Sequence, residues 1–165
     1  MCRVRIAGEE MWSLLRELDD PDHLEMPADF DFGAARARFE RLVSGLDAAF
    51  GCRSDADRSV QDATLHARVV VPAESTVTGE CVVVCVSNFG WLATVSLTNP
   101  GVFDAAELEE LLDAEDAARV YGVLDDLEYV VIPDDPLGKT YDGPSEITFD
   151  TRWPASWWTR FFDYL

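Results

Sequence analysis

Long hydrophobic runs and cysteine are both scarce in this chain of 165 residues. The longest apolar run, residues 81–86, has the length of a β-strand and falls far short of the roughly 18 residues that a membrane helix needs. Four cysteines are too few to indicate a disulfide framework. The N-terminal sequence MCRVRIAGEEMW has no apolar segment typical of a secretory signal. These absences predict a cytoplasmic protein that has no membrane span.

Basic residues are also scarce, and lysine occurs only once, as Lys139. The chain has 13 basic and 32 acidic residues, so its formal net charge is −19. The acidic excess is concentrated in residues 103–150, which hold 15 acidic and two basic residues. Such a field repels nucleic acid and anionic membranes, and it attracts a basic protein surface. The charge therefore predicts a basic protein partner and argues against nucleic-acid binding.

A second explanation of the charge stays open at this stage. Aspartate, with 19 residues, outnumbers glutamate, with 13, and arginine replaces lysine almost completely. This usage is typical of a GC-rich genome, and acidic proteomes occur in salt-adapted organisms. The acidity could then serve solubility alone, with no partner involved.

The apolar content predicts a folded domain. Hydrophobic residues make up 48% of the chain and aromatic residues 11%, which is enough for a packed core. The length corresponds to a single domain that spans residues 1–165. Apolar spacing in the first two thirds predicts helices over 8–18 and 34–50 and strands over 63–71, 81–87 and 91–98. The strand at 81–87 is apolar on both faces, so it is expected to be central.

The next helix has strong start signals. Asp104 and Glu107 have the spacing of a capping box, and Phe103 and Leu108 are placed as a hydrophobic staple. A second helix, or a kinked continuation, is expected to run to about residue 126.

Further strands are predicted over 128–132 and 147–149, and a last helix begins at Pro154. The order of elements predicts an α+β fold. In it, a mainly antiparallel sheet of about four or five strands packs with N-terminal, central and C-terminal helices.

No motif of a catalytic, cofactor or metal site stands out. The Gly-Lys-Thr sequence at 138–140 follows a predicted strand, but a phosphate-binding loop needs a glycine where Pro133 stands. His23 and His66 are far apart and lack the spacing of a zinc site. There is no Gly-x-Ser-x-Gly elbow and no local Cys/His motif. The sequence therefore predicts no cofactor, no metal ion and no catalytic residue, although catalytic groups can converge from distant positions.

The acidic segment supplies the candidates for a partner surface. Because Leu108, Leu111 and Leu112 are expected to face the core, the acidic residues between them are expected to point outward. The candidates are Glu107, Glu109, Glu110, Asp113, Asp116, Asp125, Asp126, Asp134 and Asp135.

The C-terminal sequence WPASWWTRFFDYL is rich in aromatic residues. At helical spacing Trp157 and Phe161 share one face, which we expect to pack against the sheet and the 34–50 helix. Tryptophan, tyrosine and arginine dominate binding hot spots, so side chains off that face are further candidates for partner contact. They are Trp153, Arg160 and Tyr164.

Two segments and the composition resemble known proteins. The hairpin SNFGWLATV at 87–95 and the ending WWTRFFDYL at 157–165 are similar to segments of small acidic proteins from GC-rich actinobacteria. The small size and acidic composition of the chain resemble those of the immunity proteins of polymorphic toxin systems. The resemblance implies toxin neutralisation and carries over no functional residue.

These features predict a cytoplasmic binding or inhibitory protein of immunity type that engages a basic partner, for example a toxin or a nuclease. One alternative is a DNA mimic, whose carboxylates would be spaced regularly along an elongated face in place of phosphates. The other is an enzyme, which would show a deep cleft with converging polar groups.

Overall fold

The computed structural model describes residues 5–57, 67–147, 152 and 154–163. The helices in these ranges are α1 (Gly8–Leu18), α2 (Phe32–Phe50), α3 (Ala105–Leu111), α4 (Ala114–Asp126) and α5 (Trp157–Phe162). The strands are β1 (Asp55–Ala56), β2 (Ala67–Val71), β3 (Val82–Val86), β4 (Leu92–Leu97) and β5 (Val130–Val131). Two short 3₁₀ helices lie at Ala73–Ser75 and Asp135–Gly138. No helix in the described ranges has both the length and the apolar character to cross a membrane.

The five strands form one sheet in the order of the chain, from β1 to β5. Neighbouring strands are antiparallel except β4 and β5, which are parallel. In the centre, Val84 pairs with Val69 on one side and with Val95 on the other. The predicted α+β fold with a mainly antiparallel sheet is therefore confirmed.

One face of the sheet packs on α2 and α4. Val84 of β3 lies in a core with Leu42 and Leu46 of α2 and Val120 and Leu124 of α4. Because side chains alternate along a strand, this face takes every second residue of β3.

The bounds of α2 follow from its caps. The Asp31 carboxylate accepts the backbone N–H of Ala34 at 2.9 Å, so the helix begins two residues before the predicted position 34. It ends at Phe50, because Gly51 takes a positive φ of 62° that other residues avoid.

The opposite face of the sheet packs on α1 and α5. Val83 and Cys85 of β3 are buried with Met11 of α1 and with Trp157 and Phe161 of α5. Each large apolar side chain buried here contributes roughly 1.5–3 kcal/mol to the free energy of unfolding.

The burial of Trp157 and Phe161 was predicted correctly, but their expected contact with the 34–50 helix was wrong. α2 covers the other face of the sheet. A central strand that is apolar on both faces needs a helical layer on each side, and α5 supplies the second one.

Of the two possibilities predicted after the Asp104 cap, a separate second helix forms, because the chain between α3 and α4 is extended at Leu112. Several predicted bounds differ from the observed ones. The strand expected over 128–132 is only two residues long. For the strand expected over 63–71, residues 63–66 lie outside the described residues. The same holds for residues 148–149 of the strand expected over 147–149.

Candidate binding surface

Helix α3 begins with the predicted capping box. The Asp104 carboxylate accepts the backbone N–H of Glu107 at 2.8 Å, and the Glu107 carboxylate accepts the backbone N–H of Asp104 at 2.9 Å. Phe103 and Leu108 are partly buried and pack against the core. These contacts position a seven-residue helix with no fully buried side chain of its own.

The junction between α3 and α4 is held by Asp116, whose side chain is completely buried. Its carboxylate accepts the N–H of Val77 at 3.1 Å and both the N–H and the hydroxyl of Thr78, at 2.7 and 2.6 Å. The Thr78 hydroxyl in turn accepts the N–H of Asp113 at 3.0 Å. Asp116 therefore ties the β2–β3 connection to the start of α4. Its expected place on the partner surface was wrong, because its oxygens satisfy backbone donors inside the fold.

The electrostatics of Asp116 agree with this role. Burial by itself raises the pKa of Asp116, but the hydrogen bonds from Thr78 and Val77 and the charge of Arg119 together hold it below its usual value of 3.8. Arg119 lies 3.7 Å from the Asp116 carboxylate and also pairs with Glu115. The buried carboxylate therefore stays ionised.

Asp134 is a second acidic candidate that lies inside the fold. Its Oδ2 atom accepts the hydroxyl of Ser96 at 2.9 Å and the N–H of Gly101 at 2.7 Å. Its assignment to an outward acidic face was wrong for the same reason as that of Asp116. The neighbouring Asp135 is exposed as a residue, but partial desolvation of its carboxylate and the charge of Asp134 raise its pKa.

Arg160 is the third candidate that the structure places in the interior, since only 1% of it is exposed. Its Nε donates to the Asp19 carboxylate at 2.7 Å, and its terminal nitrogens donate to the carbonyl oxygens of Asp20, His23 and Leu24. Arg160 thus holds the loop that follows α1, and its expected exposure was wrong. The other two C-terminal candidates, Trp153 and Tyr164, lie outside the described residues.

The remaining acidic candidates are at the surface. Glu107, Glu109, Glu110 and Asp126 are exposed, while Asp113 and Asp125 are partly buried. Asp113 caps α4 by accepting the N–H of Glu115 at 2.8 Å.

Apolar side chains are exposed among these acids. Val77 is 55% exposed, Val102 52% and Leu111 48%. Val77 and Leu111 flank the same junction, because Thr78 and Asp113 are hydrogen-bonded to each other. Leu111 was expected to face the core. It does not, because α3 ends there and the chain turns inward only at Leu112.

We call the exposed residues of α3, α4 and the β2–β3 connection the α3–α4 surface. It combines exposed acids with an apolar centre at Val77 and Leu111.

A half-open cavity of about 570 Å³ adjoins this surface, and the exposed residues Ala105, Glu109 and Ala114 form part of its lining. Val95 of β4 and Val131 of β5 line it on one side, and Leu108, Leu112 and Tyr121 line it on the other. Sequence reasoning missed the cavity because its walls come from separate segments. The one signal in the sequence is a set of small residues that line the cavity from α3 and α4, namely Ala105, Ala114 and Ala117.

Four polar side chains converge on this cavity: Arg5, Glu109, Tyr121 and Asp134. The Arg5 guanidinium lies 4.3 Å from the centre of the Tyr121 ring. Burial raises the pKa of Tyr121, and the charge of Arg5 opposes this shift. The described part of the lining contains no serine, cysteine or histidine.

Metal ligands are not clustered in the described part of the chain, where no group of three or more His, Cys, Asp or Glu side chains could hold an ion. No family model, curated protein or solved structure matches this chain.

Proposed function

We propose that this chain is a binding or inhibitory protein of immunity type, and that its α3–α4 surface engages a basic protein partner. The observation that carries the proposal is the exposure of Val77 and Leu111 at a rigid junction surrounded by acidic residues. Exposed apolar side chains within a charged rim are the usual composition of a protein interface.

The charge of the surface supports a basic partner. Residues 103–150 hold 15 acidic and two basic residues, and the exposed acids on α3 and α4 can steer a positive surface toward the apolar centre. This concentration of charge favours a docking role over general solubility, because residues 1–68 hold 14 acidic and nine basic residues.

The rigidity of the junction supports the same role. Asp116 and Thr78 hold the β2–β3 connection on the start of α4 through three hydrogen bonds of 2.6–3.0 Å, which restrict the backbone next to Val77 and Leu111. A preorganised surface loses less conformational entropy on binding. A DNA mimic is less well supported, since Asp116 and Asp134 are withdrawn from the surface and an apolar centre has no counterpart in a phosphate backbone.

The experiment compares two triple variants that change the net charge equally. Glu109→Gln/Glu110→Gln/Asp126→Asn neutralises the α3–α4 surface, and Glu9→Gln/Glu10→Gln/Glu17→Gln neutralises exposed acids of α1. Partners captured from a cell lysate at low salt by the wild type are identified by mass spectrometry. Their association rates are then measured for each variant against ionic strength.

We expect a partner with a positively charged surface, whose association slows about tenfold for the α3–α4 variant and stays unchanged for the α1 variant. Leu111→Ser should accelerate dissociation, while Phe32→Ser, at an exposed phenylalanine on α2, should not. Equal slowing by both triple variants would show that only the total charge matters and would contradict the proposal.

A further inference from the structure

The cavity beside the α3–α4 surface is unusual in its construction. Its outer wall is α3, a helix that contributes no fully buried residue to the core. Leu108 lies only partly buried, and Leu112 follows at the turn that ends the helix. The helix therefore borders a half-open cavity at the sheet edge.

Small side chains keep this space open. Ala105, Ala114 and Ala117 line the cavity from α3 and α4, where larger apolar residues would fill it. A cavity of about 570 Å³ lies within the range that protein sites for small molecules occupy.

The polar groups define the chemistry of the occupant. Asp134 is a buried carboxylate in the lining, and both of the hydrogen bonds observed to it, from Ser96 and Gly101, are accepted by Oδ2. Glu109 adds a second carboxylate to the lining. Arg5 is the one base among the described lining residues, and its guanidinium is stacked on Tyr121.

We propose that this cavity is a binding site for a small amphipathic organic cation, with an apolar body against Val95, Leu108 and Val131 and a protonated amine at Asp134. Two carboxylates and one guanidinium make the lining net negative, and the surrounding segment repels anions. The buried carboxylate can pair with the opposite charge of an ammonium group, whereas an alcohol offers a hydrogen bond without that charge and a carboxylate is repelled.

The test uses three probes of equal length that differ only in the polar group: hexylammonium, hexanol and hexanoate. Binding is followed by the amide chemical shifts of the lining residues during titration. We expect hexylammonium to bind about tenfold more tightly than hexanol, and hexanoate to bind most weakly.

Two variants separate the apolar body from the charged end. Ala117→Leu fills part of the cavity and should weaken the binding of all three probes. Asp134→Asn retains one acceptor for Ser96 and Gly101 and should remove the preference for hexylammonium. Asp126→Asn makes the same change of charge at an exposed acid that does not line the cavity, and it should leave the preference intact.

The fold of each variant is checked by its thermal unfolding. If Asp134→Asn fails to fold, Glu109→Gln tests the charge preference at an exposed lining residue, and Ala117→Leu tests the location. Equal affinities for the three probes, a preference for hexanoate, or shifts outside the cavity would each overturn the proposal. No protein partner is needed, so this result is independent of the test of the α3–α4 surface.

Discussion

Thr78 and Asp116 are joined twice, since the Asp116 Oδ2 atom accepts both the N–H and the hydroxyl of Thr78. The two residues lie 38 positions apart in the chain. Their contact fixes the exposed loop that carries Val77 to the helix junction that carries Leu111, and so it defines the shape of the α3–α4 surface.

Replacing Asp116 should destabilise the fold strongly. Asp116→Ala leaves two backbone N–H groups and the Thr78 hydroxyl without their acceptor, at a cost of about 2–3 kcal/mol in the free energy of unfolding. Urea unfolding measures this cost. Asp126→Ala, at an exposed position of α4, should cost far less. Similar midpoints for the two variants would show that the buried hydrogen bonds of Asp116 contribute little.

The contribution of Asp116 should depend on pH. Its pKa in the folded protein is lowered from the usual 3.8, so its ionised form is stabilised by folding. The excess stability of the wild type over Asp116→Asn should be complete above about pH 5 and should shrink as the pH falls through 3.8 toward the lowered pKa. Urea titrations of both proteins between about pH 7 and pH 3 measure this difference. A difference that grows on acidification would have the wrong sign for a lowered pKa.

Replacing Arg160, which forms an ion pair with Asp19, should destabilise the fold more than replacing Asp116. Both side chains are fully buried, so Arg160→Met leaves the Asp19 carboxylate without its counter-charge, with only the hydroxyls of Tyr141 and Ser145 donating to it, and should cost about 3 kcal/mol. Arg160→Lys should also be costly, because one ammonium group cannot reach Asp19 and three carbonyl oxygens together. The double variant Asp19→Leu/Arg160→Met should recover part of the loss, as thermal unfolding would show. A double variant less stable than Arg160→Met alone would contradict this account.

The cap of α3 should act locally. Asp104→Ala removes the acceptor for the N–H of Glu107 and should cost about 1 kcal/mol, whereas Asp104→Asn should cost much less. Since α3 has no fully buried residue, the loss should appear as faster amide hydrogen exchange at Leu108 and Leu111, with the sheet unaffected. Unchanged exchange in Asp104→Ala would mean that packing, and not the cap, holds the helix.

The candidate site was only partly predictable, and the failures have one cause. By helical spacing, Asp116 is expected to be an exposed acid on α4. Arg160 is expected to lie outside the apolar face of α5 that carries Trp157 and Phe161. Both are buried, because their partners come from distant loops: Thr78 lies 38 residues from Asp116, and Asp19 lies 141 residues from Arg160. Helical periodicity places a residue on a face, but it cannot identify a loop that folds over that face.

The sequence by itself determined the features that depend on neighbouring residues. The two-sided apolar pattern of β3, the capping box at Asp104 and the end of α2 at Gly51 need only local propensity and spacing. The tertiary structure alone decided which helix covers which face of the sheet, which charges are buried and where a cavity is left. These features depend on contacts between segments far apart in the chain, whose geometry is settled only when the whole core packs.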